Sequence, residues 1–328
     1  MNYKEAGVDI ELAESFITNL SPNIELTHEN VIKSKNNFCG LYDLSELNMT
    51  KPVLACTTDG VGSKIKLANH FKHYRTIGKD VVFNNVNDII CSGAKPLCFL
   101  DYFAIGKLDV NVGNDILGGI IDACLATNVS LIGGETAELP LTYTDGDLDL
   151  VGTCIGVVEK TNIFDPDDLS LGDVLIGLKS SGPHSNGYSI INRIVWENPM
   201  PMENIEQFLK PTINYYDHIC ILRDYVDILG AANITGGGIK QNLSRILPDR
   251  LTAVIDLGSF TVPDVFMHIQ SLGKLTEDEM WNVFNMGIGM ILVVDPNDAD
   301  FVLNKLGDDA VQLGFLIKKT NDQSVIFN

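Results

Sequence analysis

Six short runs carry polar side chains of the kind that hold a nucleotide or a metal ion, five of them beside glycines. The first is Thr57-Thr58-Asp59-Gly60-Val61-Gly62-Ser63-Lys64, directly after a stretch read as a strand, Val53–Thr57. Gly60 and Gly62 let backbone N–H groups approach phosphate, Asp59 can reach a cation, and Lys64 can pair with a phosphate oxygen. This is not a P-loop, which has a different glycine and lysine spacing. A plain turn with a solvated lysine is the competing reading.

The second run lies on an expected helix, Lys79–Ser92, stopped by Gly93 and Pro96. Helical spacing puts Asp80, Asn84, Asn87, Asp88 and Cys91 on one face. Solvated faces usually carry Lys and Glu; Asn and Asp favour helices less. The stripe therefore reads either as a set of ligands or as a solvated side. The third run, Gly133-Gly134-Glu135-Thr136-Ala137-Glu138, follows an expected strand Val129–Ile132. Glu135 with Asp59 and Asp88 would give the oxygen ligands that Mg²⁺ prefers. The fourth is Ser180–Ser189, with His184, Ser185 and Asn186 ahead of a helix. The fifth, Thr235-Gly236-Gly237-Gly238, also opens a helix, and the sixth, Asn285-Met286-Gly287-Ile288-Gly289, leads into a strand. Each admits a plainer reading as a turn. Together they point to a Mg²⁺–nucleotide enzyme acting on a phosphorylated small molecule.

The elements that must position these runs alternate. Strands are expected at Leu97–Ile105, Leu150–Val158, Gly172–Leu178, Thr252–Ile255 and Gly289–Val294. Helices are expected at Val112–Thr127, Tyr188–Trp196, Tyr215–Ile228 and Gly238–Ile246, with Gly118 and Gly119 weakening the first of these. Glu197–Lys210 reads as a proline-interrupted surface excursion. The pattern predicts a mixed α/β (α+β) fold in which some strands pair antiparallel. The polar segment Thr161–Ser170 marks the expected boundary between domains 1–168 and 169–328.

The 328 residues are 45% hydrophobic and 20% charged, enough for a large core. Acids outnumber bases 43 to 23, a net charge of −20, which argues against nucleic acid or an anionic membrane as a partner. Such a chain holds phosphate through backbone N–H groups or through Mg²⁺. No stretch nears the roughly 18 apolar residues of a membrane helix. The opening residues carry acids and no apolar run, and the seven cysteines are scattered; both lead to the expectation of a reduced, cytoplasmic protein.

The runs TTDGVGSK (57–64), VNDIICSGAKPLCFLDYFAIGKLD (86–109), LIGGETAELP (131–140), SSGPHSNGYS (180–189), ITGGG (234–238) and FNMGIGM (284–290), with the opening YKEAGVDIE, resemble the phosphoribosylformylglycinamidine cyclo-ligase family. The resemblance implies a two-domain subunit of the PurM-like ATP-binding superfamily, and a homodimer joined through the N-terminal-domain sheet. It implies an N-terminal domain that binds ATP and Mg²⁺ and a C-terminal domain that completes the active site. The implied reaction closes formylglycinamidine ribonucleotide to 5-aminoimidazole ribonucleotide, turning ATP into ADP and phosphate. By the same resemblance Lys64, His184 and Asn186 are catalytic. Asp59, Gly60, Gly62, Lys64, Asp80, Asn87 and Thr136 meet ATP; Ser185, Gly236, Gly237 and Gly238 meet substrate; Asp59, Asp88 and Glu135 hold the metal.

Three places depart from the family's pattern. The stretch Ile32–Gly40 has one glycine where the family has a glycine-rich loop. Asn233 stands where a histidine is usual, and Ile213 where a basic residue is common. The alternatives are a selenophosphate synthetase-like enzyme using Cys39, a thiamine-phosphate kinase-like enzyme, or a degenerate nucleotide-binding subunit.

Overall fold

The computed structural model describes residues 7–33, 38–144 and 146–328. Residues 34–37 of the glycine-poor stretch, and Tyr3–Ala6 of the opening run, lie outside them. The chain forms two compact units, Met1–Ile89 with Lys95–Lys160, and Ile90–Ala94 with Thr161–Asn328.

The first unit runs α1 (Ile10–Glu25), β1 (Pro52–Gly60), α2 (Lys64–Phe71), α3 (Tyr74–Ile90), β2 (Lys95–Ile105), α4 (Val110–Thr127), β3 (Ser130–Glu138) and β4 (Leu148–Glu159). Its sheet has the order β1-β4-β2-β3. β4 is antiparallel to β1 and β2, and β2 and β3 are parallel. Asp9 starts α1 by accepting the Leu12 N–H, and Asp109 starts α4 by accepting the Asn111 N–H at 2.9 Å. Along β4, Leu150, Gly152, Cys154 and Gly156 are buried, while Thr153 and Ile155 on the other face are partly open.

Gly118 and Gly119 do not break α4. A Cβ at Gly119 would fall on the Arg75 carbonyl oxygen, and one at Gly78 on the Ile116 carbonyl oxygen. α3 and α4 therefore cross backbone to backbone, a contact open only to residues without a side chain. Gly118 faces the movable Arg75 guanidinium instead.

The second unit runs β5 (Val174–Lys179), α5 (Tyr188–Glu197), α6 (Met202–Leu209), α7 (Tyr216–Leu222), β6 (Ile228–Asn233), α8 (Gly238–Leu243), β7 (Leu251–Ile255), α9 (Asp264–Gly273), α10 (Glu277–Val283), β8 (Ile288–Val294), α11 (Ala299–Leu306), β9 (Ala310–Lys318) and β10 (Val325–Phe327). The sheet order is β10-β7-β9-β5-β8-β6. Every residue of β8, IGMILVV, is buried, as its unbroken apolar run requires.

Several elements differ from expectation. Glu197–Lys210 holds α6, whose Ile205, Phe208 and Leu209 are buried, so its proline only sets where that helix starts. The helix expected over Tyr215–Ile228 stops at Leu222, and Ile228 begins β6. β3 does not end at Ile132 but continues through Glu138, and a bulge at Phe99/Leu100 absorbs its register shift. β1 likewise runs through Gly60, so Thr57–Gly60 is strand and not turn.

Gly119→Val should lower stability by about 1–3 kcal/mol, because the crossing cannot widen without losing its packing. Gly118→Ala should stay within about 1 kcal/mol of the parent, since better helix propensity offsets a small side-chain shift. Urea unfolding of both variants checks the contrast.

Candidate active site

Lys64 opens α2 and is wholly buried, its Nζ 2.7 Å from Oδ2 of Asp80, which is buried too. Burial pulls the Lys64 pKa down and the Asp80 charge pushes it back up. In place of the expected pairing with a phosphate oxygen, Lys64 in the folded chain makes an internal ion pair with Asp80. The stripe on α3 is no solvated face: Asp80 and Asn87 are fully buried and Asn84 nearly so. Asn85 is buried as well, and donates to the Val81 carbonyl at 2.7 Å and to the Asp59 carbonyl at 3.3 Å.

Asp59 lies at the end of β1 near Asp88. Burial raises its pKa above the ordinary carboxylate range, the Gly60 N–H draws it back, and the negative charge of Asp88 adds to the rise. Two carboxylates that repel one another suit a shared cation. Mg²⁺ characteristically takes one or two carboxylates and fills its remaining positions with water and phosphate oxygens. The pair fits such an ion. Glu135 does not join it within one chain. Register pairs Glu135 with Tyr102 on the open face of β3, while Asp59 pairs with Gly152, whose face packs on Phe99 and Asn85. Two strands, β4 and β2, separate them. Among the described residues no three acidic, histidine or cysteine side chains converge on one point. Thr136 is half-buried on β3, and Gly62 is exposed with φ 65°.

In the second unit the fourth, fifth and sixth runs come together. The Ser180 N–H donates to the Gly287 carbonyl at 2.8 Å, and Ser180 Oγ donates to Asn285 Oδ1 at 3.0 Å. Asn285 Nδ2 donates to the Gly182 carbonyl at 2.9 Å. Asn186 Oδ1 accepts the Gly236 N–H at 3.0 Å, so that N–H, expected to meet substrate, is held inside the cluster. Asn242 Nδ2 bonds the Gly238 carbonyl at 2.9 Å and holds the rest of the turn. Ser185 Oγ meets Thr212 Oγ1 at 3.3 Å.

His184 is buried, at φ 57°, and its Nε2 accepts the Ser181 N–H at 3.3 Å. That bond places its proton on Nδ1 and makes the ring a brace for its own loop. The Tyr215 ring packs 6.1 Å away, and Tyr215 Oη donates to the Lys179 carbonyl at 2.8 Å. A Cβ at Gly289 would strike both Tyr215 Oη and His184 Cε1. The glycine of the sixth run therefore makes room for the histidine of the fourth.

Two residues carry more than the sequence reading gave them. Glu138 ties two helix starts together, accepting the Asp9 N–H at 2.8 Å and the Leu108 N–H at 2.7 Å. Asp101 is 9% exposed on β2, and burial pushes its carboxyl up to about 7. An acid in the middle of LCFLDYFAI was the available signal.

Solved structures share this two-unit architecture. HypE of E. coli matches with a TM-score of 0.69 at 15% identity over 95% of this chain and 93% of that one. Thiamine-monophosphate kinase from Stenotrophomonas maltophilia matches with a TM-score of 0.66 at 16% identity, over 94% and 95%. A further HypE structure, in complex with ATP, has a TM-score of 0.68 at 17% identity, over 95% of this chain and 90% of that one. These define the fold class, a mixed α/β two-unit fold. Within it, the AIR synthase related protein N-terminal domain matches residues 39–158 and the corresponding C-terminal domain residues 171–326. Curated phosphoribosylformylglycinamidine cyclo-ligases align over nearly the whole chain. That of Syntrophus aciditrophicus is 41% identical over 99% of this chain and 98% of its own length. That of Thermodesulfovibrio yellowstonii is 42% identical over 99% of each. The chain belongs to the AIR synthase related family.

Lys64→Met should destabilise the chain by about 3–5 kcal/mol, because it strands a buried carboxylate, and Lys64→Met/Asp80→Leu should recover much of that. Denaturant titration of single and double variants reads this directly.

Asp101 makes stability depend on pH. Its folded pKa of about 7 exceeds the roughly 3.9 of an unfolded aspartate. Between those values the native state keeps a proton that the unfolded chain has lost, so this group's contribution falls as pH rises through the window. Asp101→Asn should flatten the fall in urea midpoint between about pH 4 and 7 relative to the parent.

Proposed function

We propose that this chain closes the imidazole ring of a purine precursor, converting formylglycinamidine ribonucleotide and ATP to 5-aminoimidazole ribonucleotide, ADP and phosphate. The observation that carries the reaction is 41–42% identity to cyclo-ligases over 99% of the chain. The fold relative solved with ATP supports that nucleotide as the co-substrate. The reaction passes the γ-phosphoryl group to the formyl oxygen; the amidine nitrogen then attacks the formyl carbon and phosphate departs. Phosphoryl transfer asks a protein chiefly for positioning and charge neutralisation.

Bound Mg²⁺ would neutralise the phosphate oxygens, and Asp59 with Asp88 are the residues that would hold it. Lys64 and Asp80 would act from inside, fixing α2 against α3 and so the Gly60–Gly62 turn. The loops around His184, Ser185, Asn186 and Gly236–Gly238 would face the substrate as one braced surface. His184 would hold that surface in shape, since its Nε2 already accepts a backbone N–H.

The open sheet face of the first unit supports the homodimer. Leu54 is 60% exposed and Tyr102 39% exposed, with Cys56 exposed beside them. Apolar side chains gathered on one sheet face mark an interaction surface. Selenium chemistry has only Cys39 in its favour, which is exposed. No described helix is long and apolar enough to cross a membrane.

With both substrates and Mg²⁺, aminoimidazole ribonucleotide and ADP should form in equal amounts, and chelation should stop both. Asp88→Ala should abolish the Mg²⁺-dependent rate with the fold kept, and Cys39→Ser should leave the rate intact. His184→Ala should lower kcat/KM by about 10²-fold without shifting the pH profile; a shifted profile would mean proton transfer instead. Light scattering should give about twice 35.9 kDa for the parent and a monomer for Leu54→Lys/Tyr102→Lys. Product absent from a folded, Mg²⁺-loaded chain would refute the cyclisation reading.

A further inference from the structure

A cleft of about 710 Å³ lies between α1 and β3, the terminal strand of the first unit's sheet. Its walls are apolar at Ile17, Leu117 and Leu131, and its polar lining includes Glu14, His28 and Asp101, with Glu135 on the opposite face of β3 from Asp101 and no lysine or arginine. Such a lining repels phosphate and attracts a cation. Asp101 gives it a centre. Its carboxyl is packed against Gly134, where a Cβ would collide with Oδ1, and its own backbone N–H is the hydrogen bond that steadies it. A carboxyl buried with so little support is costly unless a charged donor completes it. β3 pairs with no strand but β2, and Thr27 and His28 bond Leu131 at its start, so the part of its outer edge left to the cleft is Gly133–Thr136, beside that carboxyl.

Carboxyls and carbonyls flanked by apolar walls select a flat cation with several N–H donors. A compact ammonium fits the apolar walls less well, and a neutral amide offers fewer donors and no charge. We propose that this cleft binds an amidine group, with Asp101 as the carboxyl that takes its N–H donors and the β3 edge as the surface it lies along. The natural ligand rests on the cyclo-ligase reading, whose substrate carries an amidine. There the cleft would orient the nitrogen that attacks, as a site separate from the Asp59–Asp88 pair.

The probe is benzamidine, with neutral benzamide as its control, on the full-length chain by saturation-transfer NMR and by competition in the cyclisation assay. Benzamidine should bind saturably and compete with formylglycinamidine ribonucleotide but not with ATP, and benzamide should do neither. Asp101→Asn, which keeps the size of the side chain, should weaken benzamidine at least tenfold. Glu14→Gln, on exposed helix surface, should weaken it severalfold and keeps the test open should Asp101→Asn fold poorly. Equal binding of the two probes, or benzamidine binding unchanged in both variants, overturns the proposal. Product formation without benzamidine competition overturns it and leaves the cyclisation reading standing. Asp101-dependent binding by a chain that forms no product upholds the site and sinks that reading.

Discussion

The need to bury polar side chains in partnership governs the first unit. α3 is buried on nearly every side, yet it carries Asp80, Asn84, Asn85 and Asn87. A buried polar group left unpaired costs about 1–3 kcal/mol, so each must have neighbours in fixed places. Lys64 comes inward to meet Asp80, which pins α2. Asn85 reaches the backbone of Asp59, which pins the end of β1. The glycine crossing with α4 lets the helix sit deep enough for these bonds to form. The Asp59–Asp88 pair is therefore set by the packing of α3, although neither residue belongs to the apolar core.

Much of this was legible from sequence, and the failures have a common cause. Glycine beside polar residues located five of the six runs, Asn and Asp at helical spacing located the other, and apolar runs located most strands. The fold class followed from their alternation. Periodicity does not report depth: the α3 stripe has the spacing of an amphipathic helix but not its exposure. Composition was the better guide, because Asn and Asp on a helix signalled that the face was not plain solvent surface. Partners far apart in sequence were out of reach. Nothing local to Lys64 announces Asp80, and nothing local to Gly289 announces Tyr215 and His184. The same limit grouped Glu135 with Asp59 and Asp88, since a strand's facing depends on a register that only pairing reveals. The short helix at Met202–Leu209 was hidden by the prolines at its start, and β6 by an apolar run that reads equally well as helix.

The second unit solves a similar problem with different chemistry. Its loops are held by amides, with Asn285 and Asn186 each bonding a backbone group of another run and Asn242 bonding the turn that opens its own helix. A carboxylate could accept the same N–H bonds, but it could not also donate to carbonyls as Asn285 and Asn242 do. It would also add negative charge. That second difference matters in a chain with 43 acids, where the net field opposes any phosphorylated ligand. The runs 180–189, 235–238 and 285–289 contain no Asp or Glu at all. Bracing by neutral amides thus gives a surface already shaped before a ligand arrives, and it keeps that surface free of the charge that dominates the rest of the protein. Preorganisation of this kind lowers the cost of orienting reactants, which is the main service phosphoryl transfer asks of its enzyme.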